Sequence, residues 1–113
     1  MKVIVTQRAK SDLLELFDYN AKISLNYAIR IDKKIRSYIE DLQDSPYFGR
    51  YVPEILDKHH RERICEKFRI IYFISEKDNI IFIRYIFNAK QDKKTFFEVH
   101  KTEIFNFINQ LFI

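Results

Sequence analysis

Two arginines stand where a chain seldom leaves a charge without a partner. Arg69 interrupts the run Phe68-Arg69-Ile70-Ile71-Tyr72-Phe73, and Arg84 lies among Ile80, Phe82 and Ile86. A guanidinium withdrawn from water must meet a carboxylate or a phosphate. Each is therefore one half of an internal ion pair or a contact for an anionic ligand, and both readings stay open at this point. Glu54 and Glu62 are candidate internal partners for Arg69. Arg61 and Arg63 are two residues apart on a short extended stretch, where they either touch an anionic target or discourage pairing at a sheet edge. Lys90 adds a cation just beyond the last apolar run.

Other reactive side chains carry less. Adjacent side chains point apart in extended chain, so His59 and His60 make at most half a metal site, and no Cys or Asp completes a ligand set. No metal or cofactor is expected. Cys65 is the single cysteine; it lacks a neighbouring base in sequence and reads as a small apolar residue rather than a nucleophile. One cysteine also rules out an internal disulfide, and nothing points to an oxidising compartment.

The elements that must position these groups follow from periodicity. Met1 to Val5 reads as a strand, and Thr6 is placed to cap a helix running to about Lys22. Its apolar stripe is Ala9, Leu13, Leu16, Phe17 and Ala21. Ser24 can cap a second helix with the stripe Ala28, Ile31, Ile35, Tyr38, Ile39 and Leu42, which Asp44-Ser45-Pro46 stops. On its wet face Asp32 and Arg36 stand four residues apart, the spacing of a helix ion pair.

Periodicity disappears between Tyr47 and His60, where Gly49 and Pro53 mark a loop. Strands then dominate: Arg61 to Lys67, Phe68 to Ser75, and Ile80 to Phe87, with Glu76-Lys77-Asp78-Asn79 as a turn. The middle strand is apolar on both faces and must be central. From about Lys93 to Ile113 the chain reads as an apolar helix carrying Phe97, Ile104, Ile108 and Leu111 on one stripe, with Phe105 and Phe112 beside it. The expected architecture is α+β and a single domain over residues 1–113: an N-terminal strand, a helical hairpin, a three-stranded antiparallel meander that the first strand crosses back to join, and a C-terminal helix.

Composition agrees with this. Hydrophobic residues make up 47% of the 113 and charged residues 32%, which excludes a disordered chain and a membrane-spanning one. No signal-peptide pattern opens the sequence, so cytoplasmic residence is the expectation. The net charge of +4 favours an anionic partner, either nucleic acid or an acidic peptide.

Local sequences then bring a family into view. The first helix opens with Ala9-Lys10-Ser11-Asp12-Leu13, similar to an A-x-x-D-L pattern, and Tyr19 follows. Further on come Pro46, Gly49-Arg50, Val52-Pro53-Glu54, Arg61-Glu62 and Phe68-Arg69-Ile70-Ile71-Tyr72, in the order and approximate spacing of P-x-x-G-R, V-P-E, R-E and Y-R-I-I-Y. This succession resembles the RelE/ParE superfamily of bacterial type II toxin–antitoxin systems, also called plasmid stabilisation proteins. The resemblance implies a growth-inhibiting toxin neutralised by a cognate antitoxin that wraps an acidic, partly disordered segment around it, as a toxin–antitoxin hetero-oligomer or with the toxin as a homodimer.

The superfamily offers two modes of action. RelE-like members cut messenger RNA on the ribosome, while ParE-like members inhibit DNA gyrase and lack the ribonuclease residues. Cleavage by 2′-hydroxyl attack needs a base, a cation for the phosphate and an acid for the leaving oxygen. The resemblance carries the base onto Glu54 and the phosphate-binding arginine onto Arg69. The acid, a His followed by Tyr at the end of the last strand, falls on Asn88 and Ala89, neither of which donates a proton at neutral pH. The expectation is a ParE-like toxin acting on a protein such as gyrase, with a metal-independent ribonuclease or a non-toxic member that only binds antitoxin as alternatives. Arg61, Arg63, Arg84 and Lys90 are the candidate contacts to nucleic acid or target.

Overall fold

The computed structural model describes residues 1–55, 57–90, 97 and 100–107. The chain begins with strand β1 (Lys2–Val5) and passes into helix α1 (Gln7–Ile23). Thr6 makes that junction: its hydroxyl accepts from the Ala9 amide at 3.2 Å, capping the helix, and donates to the Ile83 carbonyl at 2.7 Å, tying the cap to the sheet. Ser24 accepts from the Tyr27 amide at 3.3 Å and so caps helix α2 (Leu25–Asp41) as the sequence suggested. On the wet face of α2 Arg36 donates to Asp32 at 2.8 Å.

The strands that follow are β2 (Arg50–Tyr51), β3 (His60–Cys65), β4 (Phe68–Ser75) and β5 (Ile80–Asn88). They form one five-stranded sheet in the order β1-β5-β4-β3-β2, with β1 parallel to β5 and the other neighbours antiparallel. The N-terminal strand does cross back to join the meander, as expected. β4 is central, and all eight of its residues are buried. Burial is worth roughly 1.5–3 kcal/mol for each large apolar side chain, so this strand contributes much of the domain's stability.

Two features depart from the sequence reading. The stretch from Tyr47 to His60 was expected to be loop only, yet Arg50 and Tyr51 pair with Glu62 and Arg61. Two residues are too few to leave an alternating pattern, which is why no periodicity revealed them. Secondly, Arg84 does not share a face with Ile86. Tyr72 pairs with Ile83 and Ile71 with Tyr85, so Arg84 is the extra residue of a β-bulge and the alternation changes phase there. Ile81, Ile83 and Ile86 consequently all face the helices, while Tyr85 and Phe87 face away.

Helices α1 and α2 cover one sheet face through Ala9, Leu13, Ile31, Ile35 and Ile39, packed on Phe68, Ile70, Tyr72 and Ile74. The opposite face carries Val52, Ile71, Tyr85 and Phe87, and against it lie Phe97 and Ile104. Residues 100–107 are helical, in line with the C-terminal helix expected from about Lys93. The other positions of that helix, among them Lys93, Lys94, Ile108, Leu111 and Phe112, lie outside the described residues. Among the described residues no helix is long and apolar enough to cross a membrane.

Candidate functional site

Glu54 and Arg69, fifteen positions apart in sequence, meet on the sheet face away from the helical hairpin. Alternation along β4 sends Arg69 to that face, and its side chain is 0% exposed. Pairing of β3 with β4 brings Glu62 beside it. The loop after β2 delivers Glu54. The Arg69 Nη1 and Nη2 atoms donate to the two oxygens of Glu54, each at 3.0 Å, and Nε donates to Glu62 at 2.5 Å. A further contact joins Arg69 Nη2 to the same Glu62 oxygen. Glu62 receives Arg50 on its other oxygen at 2.7 Å. Two cations and two carboxylates therefore neutralise one another.

Phe87 and Phe97 complete the enclosure, with ring centroids 5.3 and 5.5 Å from the Arg69 guanidinium carbon. Burial alone lowers the basicity of Arg69, but the hydrogen bonds to Glu54 and Glu62 outweigh it and hold its pKa above the usual arginine value. Arg69 is thus a fully charged group whose donors face carboxylates. For it to hold a phosphate, an incoming anion must displace Glu54 or Glu62. At the end of β5, Asn88 accepts from the Lys90 amide at 2.9 Å and the Ala89 amide donates to the Lys67 carbonyl at 2.7 Å. Neither Asn88 nor Ala89 has a side-chain proton that it could donate near neutral pH.

The other candidates occupy different places. Arg61 and Arg63 point to the face opposite Arg69, the one that carries Cys65. Arg61 donates to the Gly49 carbonyl at 2.8 Å and lies over the rings of Tyr51 and Tyr47, 4.4 and 5.3 Å from their centroids. Arg63 donates to the Tyr38 carbonyl at 3.1 Å and sits over the rings of Tyr38 and Phe48, 4.1 and 4.4 Å away. Tyr47, Phe48 and Tyr51 are more than half exposed. The result is a strip of stacked guanidinium and aromatic groups along the β2–β3 edge. Lys90 is exposed beyond β5.

Arg84 is buried, with the ring of Phe107 3.8 Å from its guanidinium carbon and His60 Nε2 3.5 Å from Nη1. His60 is itself 0% exposed, and its Nδ1 lies 2.7 Å from Asp57. An arginine can only donate, so His60 Nε2 accepts and Nδ1 carries the proton to Asp57. Burial depresses the His60 pKa below its usual value and keeps the ring neutral. A neutral imidazole thereby links Asp57 to Arg84. The sequence reading missed this chain; the three-residue step from Asp57 to His60 was its only trace. It also missed Arg50 as a partner of Glu62.

Gly49 and Tyr72 explain two further motif positions. The Tyr72 hydroxyl accepts from the Gly49 amide at 2.9 Å and donates to the Pro46 carbonyl at 3.0 Å. A β-carbon on Gly49 would lie 2.4 Å from the Glu62 carbonyl oxygen and 2.5 Å from that hydroxyl, so only glycine fits. These residues hold the start of β2 against β3 and thereby aim the loop that carries Glu54.

Comparison with known proteins returns the same fold. A chain of the chromosomal ParDE TA system from P. aeruginosa superposes with a TM-score of 0.66 at 22% identity, covering 80% of this chain and 97% of that one. The toxin–antitoxin complex RelBE2 from Mycobacterium tuberculosis gives 0.60 at 19% identity, covering 77% and 95%. A mutant of E. coli RelE in the free state gives 0.60 at 9% identity, covering 83% and 88%. Against curated proteins no significant match is found. The model for the ParE toxin of the type II toxin–antitoxin system parDE matches residues 3–93, most of the chain, and by that measure the protein belongs to the ParE toxin family.

Proposed function

We propose that this toxin acts in the ParE-like manner, by binding a protein target such as DNA gyrase, and that it does not cleave RNA. The observation that carries the reading is the enclosure of Arg69, with its donors given to Glu54 and Glu62 and aromatic rings on its open side. A ribonuclease of this superfamily would hold that guanidinium ready for phosphate, and would end β5 with a proton donor rather than Asn88-Ala89. One observation favours the ribonuclease alternative: Glu54 and Arg69 are adjacent, as a base and a phosphate clamp need to be.

A cognate acidic antitoxin is the second part of the proposal. The β2–β3 edge supports it, since Arg50, Arg61 and Arg63 lie there among exposed aromatic rings, and acidic segments bind such surfaces through charge and stacking together. Purified toxin is to be added to a gyrase supercoiling reaction and, separately, to translating ribosomes with a reporter message. Loss of supercoiling with an intact message is the expected result. Codon-linked cuts in the message with normal supercoiling would overturn the reading.

A further inference from the structure

Two carboxylate–imidazole–arginine chains meet the helical residues 100–107, and they are built alike. In the first, Asp57 lies 2.7 Å from His60 Nδ1, and His60 Nε2 lies 3.5 Å from Arg84, over which the Phe107 ring sits at 3.8 Å. In the second, Glu103 lies 3.1 Å from His100 Nδ1, and Arg8 of α1 reaches His100 Nε2 at 3.4 Å. Arginine only donates, so each imidazole carries its proton on Nδ1 and accepts on Nε2. Both rings are neutral in this arrangement. Tyr85 of β5 adds a third tie by donating to Glu103 at 3.1 Å.

The two chains differ in burial. His100 keeps 16% of its side chain exposed and His60 none. Phe107 closes the space over His60: its ring meets that of Phe73 at 5.3 Å, and Phe73 meets the His60 ring at 5.0 Å. A proton on His60 Nε2 would aim a second donor at Arg84 and set two cations side by side with water excluded. Burial is the main influence on His60. Asp57 favours the proton, Arg84 and His59 oppose it, and the ring stays neutral. β4 faces the imidazole with Phe73, and the helical segment brings Phe107, while its Glu103 acts on Arg84. Lifting Phe107 admits water to Arg84 and His60 and removes the conflict. We propose that residues 100–107 form a pH-sensitive latch, held while His60 is neutral and released as a proton enters it, which uncovers Arg84 and the rings of Phe73 and Phe82. The His100 chain anchors the first turn of the same segment to α1. The latch goes beyond the toxin's proposed mode of action and uses none of the residues that support it.

Hydrogen exchange of the full-length protein tests this. A helix this short does not persist alone, so release exposes its amides. Docked His60 titrates below 6.5 and released His60 near that value, so docking is complete above it and weakens as pH falls. Protection factors of amides 104–107 are expected to drop about tenfold between pH 7.5 and 5.5, the change that one proton produces across that interval. Exchange there should respond far less to low urea than exchange in β4, which marks a local opening. His60→Gln, whose neutral amide can accept from Arg84 and donate to Asp57, is expected to abolish the drop, and His100→Gln to keep it. Long-range proton–nitrogen NMR spectra of the unsubstituted protein read the His60 tautomer and charge directly, so the test survives a variant that fails to fold. The proposal is overturned if protection at 104–107 is constant over this interval, or if those amides exchange with the same protection and urea response as β4. It is equally overturned if the drop persists in folded His60→Gln, if His100→Gln alone removes it, or if His60 is already charged at pH 7.5.

Discussion

Both carboxylate oxygens of Glu54 lie 3.0 Å from the terminal nitrogens of Arg69, so a loop residue and a central-strand residue form a bidentate pair. The pair is not isolated, because Glu62 holds the same guanidinium from β3. The two carboxylates are therefore unequal. Glu62 is fully buried and Glu54 keeps some contact with solvent.

This inequality predicts an order of mutational cost. Arg69→Ala strips the buried Glu62 of its main cation and should destabilise the domain by about 3–5 kcal/mol, the usual cost of an uncompensated buried charge. Glu54→Gln keeps a hydrogen-bond acceptor and leaves Glu62 in place, so its cost should be about 1–2 kcal/mol. Urea unfolding monitored by circular dichroism measures both. Equal losses would contradict the order. On the proposed function, Glu54→Gln also remains fully toxic when expressed without antitoxin.

Gly49→Ala should cost about 1–3 kcal/mol, since the new methyl group meets the Glu62 backbone carbonyl, which cannot move without disturbing β3. Tyr72→Phe removes the acceptor for the Gly49 amide and should cost about 1–3 kcal/mol by leaving that donor unmet. The two sites share one contact, so the double variant is expected to lose less than the sum of the single losses. Thermal melting of the three variants checks this, and strict additivity would refute the coupling.

The Asp57–His60–Arg84 chain predicts a dependence on pH. Burial lowers the pKa of folded His60 below 6.5, whereas the unfolded chain titrates near that value. Between the two pKa values the unfolded state binds the extra proton, so stability falls as pH drops below about 6.5 and stops falling only under the folded pKa. Asp57 acts lower on the scale. Burial works against its ionisation, but the hydrogen bonds from His60 and the His59 amide prevail and hold its pKa below 3.8, so its contribution is present above that value and lost only as pH falls further. Unfolding free energies between pH 7.5 and 5 should decline in the parent protein and flatten in His60→Gln. The same slope in both would remove His60 as the cause.

Thr6→Ala removes the cap of α1 and its bond to the Ile83 carbonyl together. A capping residue is worth about 1 kcal/mol, and the additional tie to the sheet should carry the loss to about 1–2 kcal/mol. Ser24→Ala makes a useful comparison, because the Ser24 side chain caps α2 at an exposed position. It should cost less, and a larger loss at Ser24 would show that the sheet contact of Thr6 contributes nothing.

What the sequence determined by itself was everything that repeats with a fixed period or depends on neighbours in the chain. The stripes of α1 and α2, the caps at Thr6 and Ser24, the Glu76–Asn79 turn and the central place of β4 were all legible, because helix and strand periods print directly on the order of apolar residues. So was the need of Arg69 for a partner, since an arginine in an apolar strand is conspicuous. Asp12 shows the limit: it lies three residues after Ala9, in phase with the buried stripe, yet only the fold reveals that it accepts the Ile86 amide at 3.0 Å.

What only the tertiary structure decided was pairing between distant segments and breaks in register. The bulge at Arg84 moves Tyr85 and Phe87 to the second face, and no local pattern encodes a single unpaired residue. The partners of Arg69 come from a loop and from a neighbouring strand, joined by sheet pairing and by the Gly49–Tyr72 contact. Asn20 of α1 is 2% exposed although no local pattern marks a polar residue there for burial. Pairing and burial of this kind depend on where chain segments meet in space, and sequence order alone leaves that free.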